Sequence, residues 1–65
     1  MPVIRVDIGK HGLNVEHKKQ LIEKLTDAAV EITRIPKQAY IVIINEYDDS
    51  NIGVGGVTLD KVRKA

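Results

Sequence analysis

A proline stands directly behind the initiator methionine, in the opening Met1-Pro2-Val3-Ile4-Arg5-Val6. While Met1 is attached, the Pro2 nitrogen is a tertiary amide with essentially no basicity. Proline is small enough to follow a cleavable methionine, so loss of Met1 is expected. That loss would turn the nitrogen into a secondary amine held in a rigid ring. General base catalysis at pH 7 needs the neutral amine, whereas a reference α-amino group titrates at about 7.7–8.0. A dialkyl amine such as proline's is more basic still. An apolar pocket and nearby cations both disfavour the protonated form, at ~1.4 kcal/mol for each unit of depression. The competing reading is structural: proline is tolerated at the first position of a strand, where its missing donor does little harm.

Other chemistry-bearing residues are fewer. Lys10 and His11 form the centre of a loop between Gly9 and Gly12. They are either solvated or face an anionic substrate. Because they follow the first strand and Pro2 precedes it, they would have to act on the Pro2 of another subunit. Arg5 reads as a rim or intersubunit salt-bridge residue, and Lys61, Arg63 and Lys64 as a solvated tail. Glu46, Asp48 and Asp49 resemble a turn more than a carboxylate pair. Gly53-Val54-Gly55-Gly56 lacks the third glycine of G-x-G-x-x-G and the lysine of a Walker motif, so it reads as a hairpin turn rather than a phosphate loop.

Composition excludes whole classes. The chain has no cysteine, which removes disulfides and thiolate metal sites, and its two histidines form no zinc pattern. No metal or cofactor is expected. Ten basic and nine acidic residues leave a net charge of +1, and two tyrosines are the only aromatics. Neither an electrostatic footprint for nucleic acid nor a base-stacking platform is present. No charged segment followed by an apolar stretch marks a signal peptide, and the run Ala39-Tyr40-Ile41-Val42-Ile43-Ile44 is too short to span a bilayer. A cytoplasmic protein without a membrane partner is expected.

The elements that must position Pro2 follow from periodicity. In Val3 to Ile8, Ile4, Val6 and Ile8 fall on one face and Val3, Arg5 and Asp7 on the other, a strand bounded by Gly9. Asn14 can cap a helix and Glu16 suits its first turn. Leu21, Ile22, Leu25, Ala28, Ala29 and Ile32 then recur at helical spacing, with Lys19, Glu23, Lys24, Asp27 and Glu31 outside. Pro36 disfavours a helical Ile35, so the helix should stop between Ile32 and Arg34. Ala39 to Asn45 is apolar on both faces, as in a strand covered on both sides. Asp48 to Asn51 is a turn, Ile52 to Val57 a short hairpin or an arm, and Thr58 to Ala65 a short helical turn or a tail.

Strand, helix, strand in this order is one α/β unit, a βαβ with parallel strands, and residues 1–65 make a single domain. One helix covers one face of a two-stranded sheet, yet the second strand asks for cover on both. A chain this short buries only about 60% of the surface its unfolded form exposes. With disulfides and metals excluded, copies of the chain must extend the sheet and seal its open face.

Several of these stretches together resemble the 4-oxalocrotonate tautomerase family. They are Met1-Pro2-Val3-Ile4-Arg5-Val6, Lys18 with Leu21-Ile22, Val42-Ile43-Ile44-Asn45-Glu46, Gly53-Val54-Gly55-Gly56 and Lys61-Val62-Arg63. The likeness runs from Pro2 to about Lys64 and is nearest to the small, divergent members. It implies a βαβ protomer with a short C-terminal hairpin, assembled as a hexamer, a trimer of dimers. It also implies that Pro2, freed of Met1, moves a proton between atoms of an enolic 2-oxo acid such as 2-hydroxymuconate. One base can perform both transfers, while a cation holds the carboxylate and the developing dienolate.

The best-known members carry an arginine in the loop after the first strand; the loop here holds Gly9, Lys10 and His11. They carry another early in the second strand, where this chain has Ile41, and an aromatic before the Gly-rich hairpin, where it has Ile52. The resemblance therefore makes Pro2 the catalytic residue and Gly9, Lys10, His11, Ile41 and Ile52 the substrate-binding positions. Loss of both arginines points from a dicarboxylate towards a more apolar or monoanionic enol acid. Related members add water to unsaturated acids, so hydratase or dehalogenase chemistry is a second reading; it needs a water-activating carboxylate that the sequence does not place. A non-catalytic oligomeric binding module is the non-enzymatic one. A ribbon-helix-helix DNA binder would require helix in the Ala39–Ile44 run and a more basic strand.

Overall fold

In the computed structural model, which describes residues 1–10 and 12–64, the chain runs as a βαβ unit with a small C-terminal appendage. The elements are β1 (Val3–Gly9), α1 (Val15–Thr33), β2 (Ile41–Tyr47), β3 (Gly53–Val54), β4 (Val57–Thr58) and α2 (Leu59–Lys64). Single 3-10 turns at Lys37–Ala39 and Asp49–Asn51 flank β2. β1 and β2 pair in parallel, from Val3 opposite Ile41 to Gly9 opposite Tyr47, and α1 is the crossover that parallel pairing requires.

The ends of α1 are set by the residues that the sequence singles out. The Asn14 side chain accepts from the backbone N–H of His17 at 2.8 Å, satisfying one of the four orphan donors of a helix start. At the other end Arg34 adopts a left-handed conformation (φ 63°) and its N–H reaches the Val30 carbonyl at 2.9 Å. Thr33 closes the last turn: its hydroxyl donates to the Ala29 carbonyl at 2.9 Å and accepts from the Ile35 N–H at 3.2 Å. The Tyr40 hydroxyl bonds the same oxygen.

Three details differ from the sequence reading. β2 begins at Ile41 rather than Ala39, because the Ala39 and Tyr40 N–H groups are taken by Pro36 and Lys37 carbonyls at 3.0 and 3.1 Å. It also runs on to Tyr47, since β1 offers partners as far as Gly9. On α1 the half-buried row is Lys18, Leu21, Leu25, Thr26, Ala29 and Val30, whereas Ala28 is exposed and Ile32 is 83% exposed. Ala28 and Ile32 continue the apolar spacing but fall to one flank, which a two-stranded sheet is too narrow to cover. The C-terminal residues resolve into a hairpin followed by a short helix. Its two-residue turn is Gly55-Gly56, with φ of 60° and 84°, the double positive φ of a type I′ turn.

Alternation along the register sorts the sheet into two faces. Ile4, Val6 and Ile8 lie with Val42, Ile44 and Glu46; Val3, Arg5 and Asp7 lie with Ile41, Ile43, Asn45 and Tyr47. The Lys18–Glu46 ion pair marks the first set as the helix side. The helix approaches β2 more closely than β1, so the other face is uncovered and β1 is the less sheltered strand.

None of the described residues is buried. The accessible surface is 5054 Å² for a 7.2 kDa chain, against about 4,100 Å² for a compact monomer of that mass. The radius of gyration is 15.2 Å, against about 11 Å for a compact domain of this length. The protomer is a layer with exposed apolar surface, including Val3, Ile41, Val54, Val57 and Val62, and has no interior of its own. Among the described residues no helix is long and apolar enough to cross a membrane.

Candidate active site

Pro2 sits at the mouth of β1, half-buried, and its carbonyl accepts the Ile41 N–H at 3.0 Å. This bond ties the residue before the first ladder pair to the first residue of β2, which fixes the pyrrolidine ring against the sheet. Ile41 lies beside it, 39% exposed, on the helix-free face with Val3. Continuing the register one step back sets Tyr40 opposite Pro2. The Tyr40 hydroxyl is held at the helix end by Thr33, so this corner joins the strand mouth, the helix terminus and the turn into β2. Met1 is 89% exposed, which leaves its peptide bond to Pro2 open to trimming.

The other expected positions lie elsewhere. Gly9 is the last residue of β1, opposite Tyr47, about 23 Å from Pro2 at strand rise. Lys10 follows it: its backbone N–H bonds the Tyr47 carbonyl at 2.9 Å and its ammonium pairs with Asp48 at 3.3 Å. Both partners of that pair are more than 60% exposed, so the pairing is weak and the cation is readily released. His11 lies outside the described residues. Ile52 is half-buried after the Asp49–Asn51 turn; its N–H reaches the Asp49 carbonyl at 3.3 Å and its carbonyl accepts from Leu59 at 2.8 Å. It belongs to the segment that follows Tyr47 in the chain.

One protomer therefore brings together Pro2 with Ile41, and separately Gly9 and Lys10 with the Tyr47 end of the sheet that Ile52 follows. It does not unite the two groups. Two open grooves of about 340 and 460 Å³ are lined by Leu13, His17 and Leu21 and by Ile22, Thr26 and Lys37 respectively, and neither includes Pro2.

Sequence reasoning missed a polar cluster on the helix-free face. Asp7 Oδ1 accepts from Tyr47 Oη at 2.9 Å and from Asn45 Nδ2 at 3.2 Å. The Tyr47 phenol is raised above its ordinary pKa of 10.0, first by donating to Asp7, then by desolvation and the Asp7 charge, with Arg5 opposing. The signal was present, since Asp7, Asn45 and Tyr47 share one parity once the β1–β2 register is known. Tyr40 was read only as part of an apolar run, because its proximity to Pro2 also depends on register.

The family model for tautomerase enzymes matches residues 2–61. The chain belongs to the tautomerase family. A probable tautomerase of Dickeya dadantii is 34% identical over 64 residues, covering 98% of this chain and 96% of the relative. Among solved structures, TomN, a 4-oxalocrotonate tautomerase homologue in the tomaymycin biosynthetic pathway, is similar with a TM-score of 0.90 and 33% identity, covering 98% of this chain and 97% of that one. A heterohexamer 4-oxalocrotonate tautomerase from Chloroflexus aurantiacus superposes with a TM-score of 0.84 at 27% identity, covering 97% and 100%. The resemblance read from the opening proline, the helix, the second strand, the Gly-rich stretch and the C-terminal residues thus holds over nearly the full chain, and membership supports an isomerase-type enzyme.

Proposed function

We propose that this chain, once Met1 is removed, is a cytoplasmic tautomerase that uses the Pro2 amine as general base and then general acid on the enol of a 2-oxo acid. The observation that carries the reading is the Pro2–Ile41 bond, which fixes the ring while leaving its nitrogen uninvolved. A fixed base is what proton abstraction and return at neighbouring atoms require. Pro2 takes the enol hydroxyl proton; electron density flows to the conjugated carbon; the same ammonium then delivers the proton there.

A cation must meet the substrate carboxylate. Lys10, only weakly held by Asp48, is the candidate among the described residues, with His11 beside it in sequence. Because Gly9 and Lys10 stand at the far end of the strands from Pro2, and Ile52 follows that end in the chain, the complete site takes Pro2 and Ile41 from one copy and the loop and Ile52 from others. The absence of any buried residue among the described residues supports that assembly, and a hexamer built as a trimer of dimers is the arrangement proposed. Ile41 and Ile52 make the cleft apolar, which favours a monoanionic or hydrophobic enol acid over a dicarboxylate and also favours the neutral amine.

The test is ketonisation of 2-hydroxymuconate and of monoanionic enol acids by protein whose intact mass proves loss of Met1. Pro2→Ala is expected to lower kcat/KM by about 10²-fold or more. Equal rates for processed wild type and Pro2→Ala would overturn the proposal.

A further inference from the structure

Pro2 is tied to the sheet through one backbone group. A proline within a chain has no N–H to donate, so its carbonyl is the group that reaches β2, and it accepts from Ile41 at 3.0 Å. The regular ladder starts one residue later, at Val3 opposite Ile41. The direction of the Ile41 N–H therefore decides where the pyrrolidine ring stands. That N–H belongs to the peptide unit joining Tyr40 to Ile41, so its direction is set by what holds Tyr40.

Tyr40 is held at both ends. Its backbone N–H donates to the Lys37 carbonyl at 3.1 Å, closing the turn before β2. Its backbone is extended (φ −83°, ψ 141°), so strand alternation carries back to it and sets its side chain on the helix side with Val42 and Ile44. There its hydroxyl bonds Thr33. The direction of that bond follows from the hydroxyl's capacity. A threonine hydroxyl has one proton and two acceptor sites. The Thr33 proton goes to the Ala29 carbonyl at 2.9 Å, and one acceptor site takes the Ile35 N–H at 3.2 Å. The second acceptor site is left for Tyr40, so the phenol donates. Thr33 is exposed and Tyr40 half-buried, so water can satisfy either group when the other is removed, and the bond adds little to stability. What it supplies is a fixed distance between the end of α1 and the start of β2.

We infer that Thr33 and Tyr40 are positioning residues for the Pro2 base: their bond fixes the peptide unit whose N–H holds the Pro2 carbonyl. This rests on the proposed role of Pro2. The two residues act through Ile41 rather than on the substrate. Helix, turn and strand form one line, from Ala29 through Thr33, Tyr40 and Ile41 to Pro2. Losing its middle bond lets the ring shift from the reacting atoms while the cleft that binds substrate stays in place. A misplacement of about 1 Å can cost about 10²-fold in rate.

The experiment is steady-state ketonisation of 2-hydroxymuconate and of the enol of phenylpyruvate, a monoanionic enol acid. The proteins are processed wild type, Tyr40→Phe, Thr33→Val, Thr33→Ser and the double variant Tyr40→Phe/Thr33→Val, each checked by native mass spectrometry and thermal melting. Tyr40→Phe keeps the ring and removes the donor; Thr33→Val keeps the shape and removes the acceptor. Each is expected to lower kcat by about tenfold while KM stays within about twofold. Thr33→Ser retains the hydroxyl and is expected to keep most of the wild-type kcat. The double variant is expected to fall no further than Thr33→Val alone, because both substitutions remove the same bond. An unchanged kcat in Tyr40→Phe, a loss in KM alone, a Thr33→Ser variant as slow as Thr33→Val, additive losses, or losses that track dissociation or a lowered melting temperature would overturn the brace while leaving Pro2 as the base. No turnover by processed wild type, or equal rates in Pro2→Ala, would overturn the proposed function itself and this role with it.

Discussion

The Pro2 carbonyl is committed to Ile41 at 3.0 Å, so the ring is fixed by a bond that does not use the nitrogen proposed to carry the proton. In that mechanism the acid limb of the kcat/KM profile reports the Pro2 amine. Ile41→Arg adds a cation beside the amine, disfavours its protonated form and is expected to shift that limb to lower pH; a stationary limb would separate Ile41 from the site. Tyr47 titrates in the opposite sense. Its protonated phenol donates to Asp7, so its pKa is raised above 10.0. Stability from this bond is present in full below pH 10 and is lost as pH rises through the raised value. Ultraviolet titration is expected to show one tyrosine ionising late, a step absent from Tyr47→Phe. The Asp7–Tyr47 bond was not legible in the sequence. Asp7, Asn45 and Tyr47 lie 38 and 40 positions apart along the chain, and only the register makes them neighbours.

Strand and helix boundaries were largely written locally. Alternation over Val3–Ile8, the Asn14 cap and Pro36 were enough to give β1 and both ends of α1, because caps and φ restrictions act within a turn of their own residue. Asn14→Ala is expected to cost about 1 kcal/mol, measurable by urea denaturation. Arg34→Gly is expected to stabilise by a comparable amount, since glycine adopts a positive φ without the steric penalty of a side chain; an unchanged midpoint would mean that the αL strain at Arg34 is negligible. The limits of β2 were displaced by two residues at each end. Pro36 and Lys37 carbonyls capture the N–H groups of Ala39 and Tyr40, and β1 supplies partners up to Tyr47. Both effects come from residues outside the strand.

The protomer is a layer that exposes 5054 Å² and buries none of its described residues. If assembly supplies the missing interior, association and folding are linked, and the melting temperature must rise with protein concentration. A tenfold dilution through the dissociation range is expected to lower it measurably by calorimetry; a concentration-independent value accompanied by a monomeric mass would refute the linkage. In the proposed assembly, the site divided between the two ends of one strand pair is completed when another copy brings the absent end alongside.

The sequence by itself determined the βαβ order, the helix caps and the family resemblance, and it led us to expect a hairpin or an arm at the Gly-rich stretch and a need for partners, because each depends on local backbone preference, hydrophobic period or a count of faces to be covered. The tertiary structure alone decided which residues meet. Parallel pairing at Val3–Ile41 joins Pro2 to Ile41 and Asp7 to Asn45, and it sets Lys10 beside Tyr47. Register is a relation between two distant segments, and no spacing within either one encodes it.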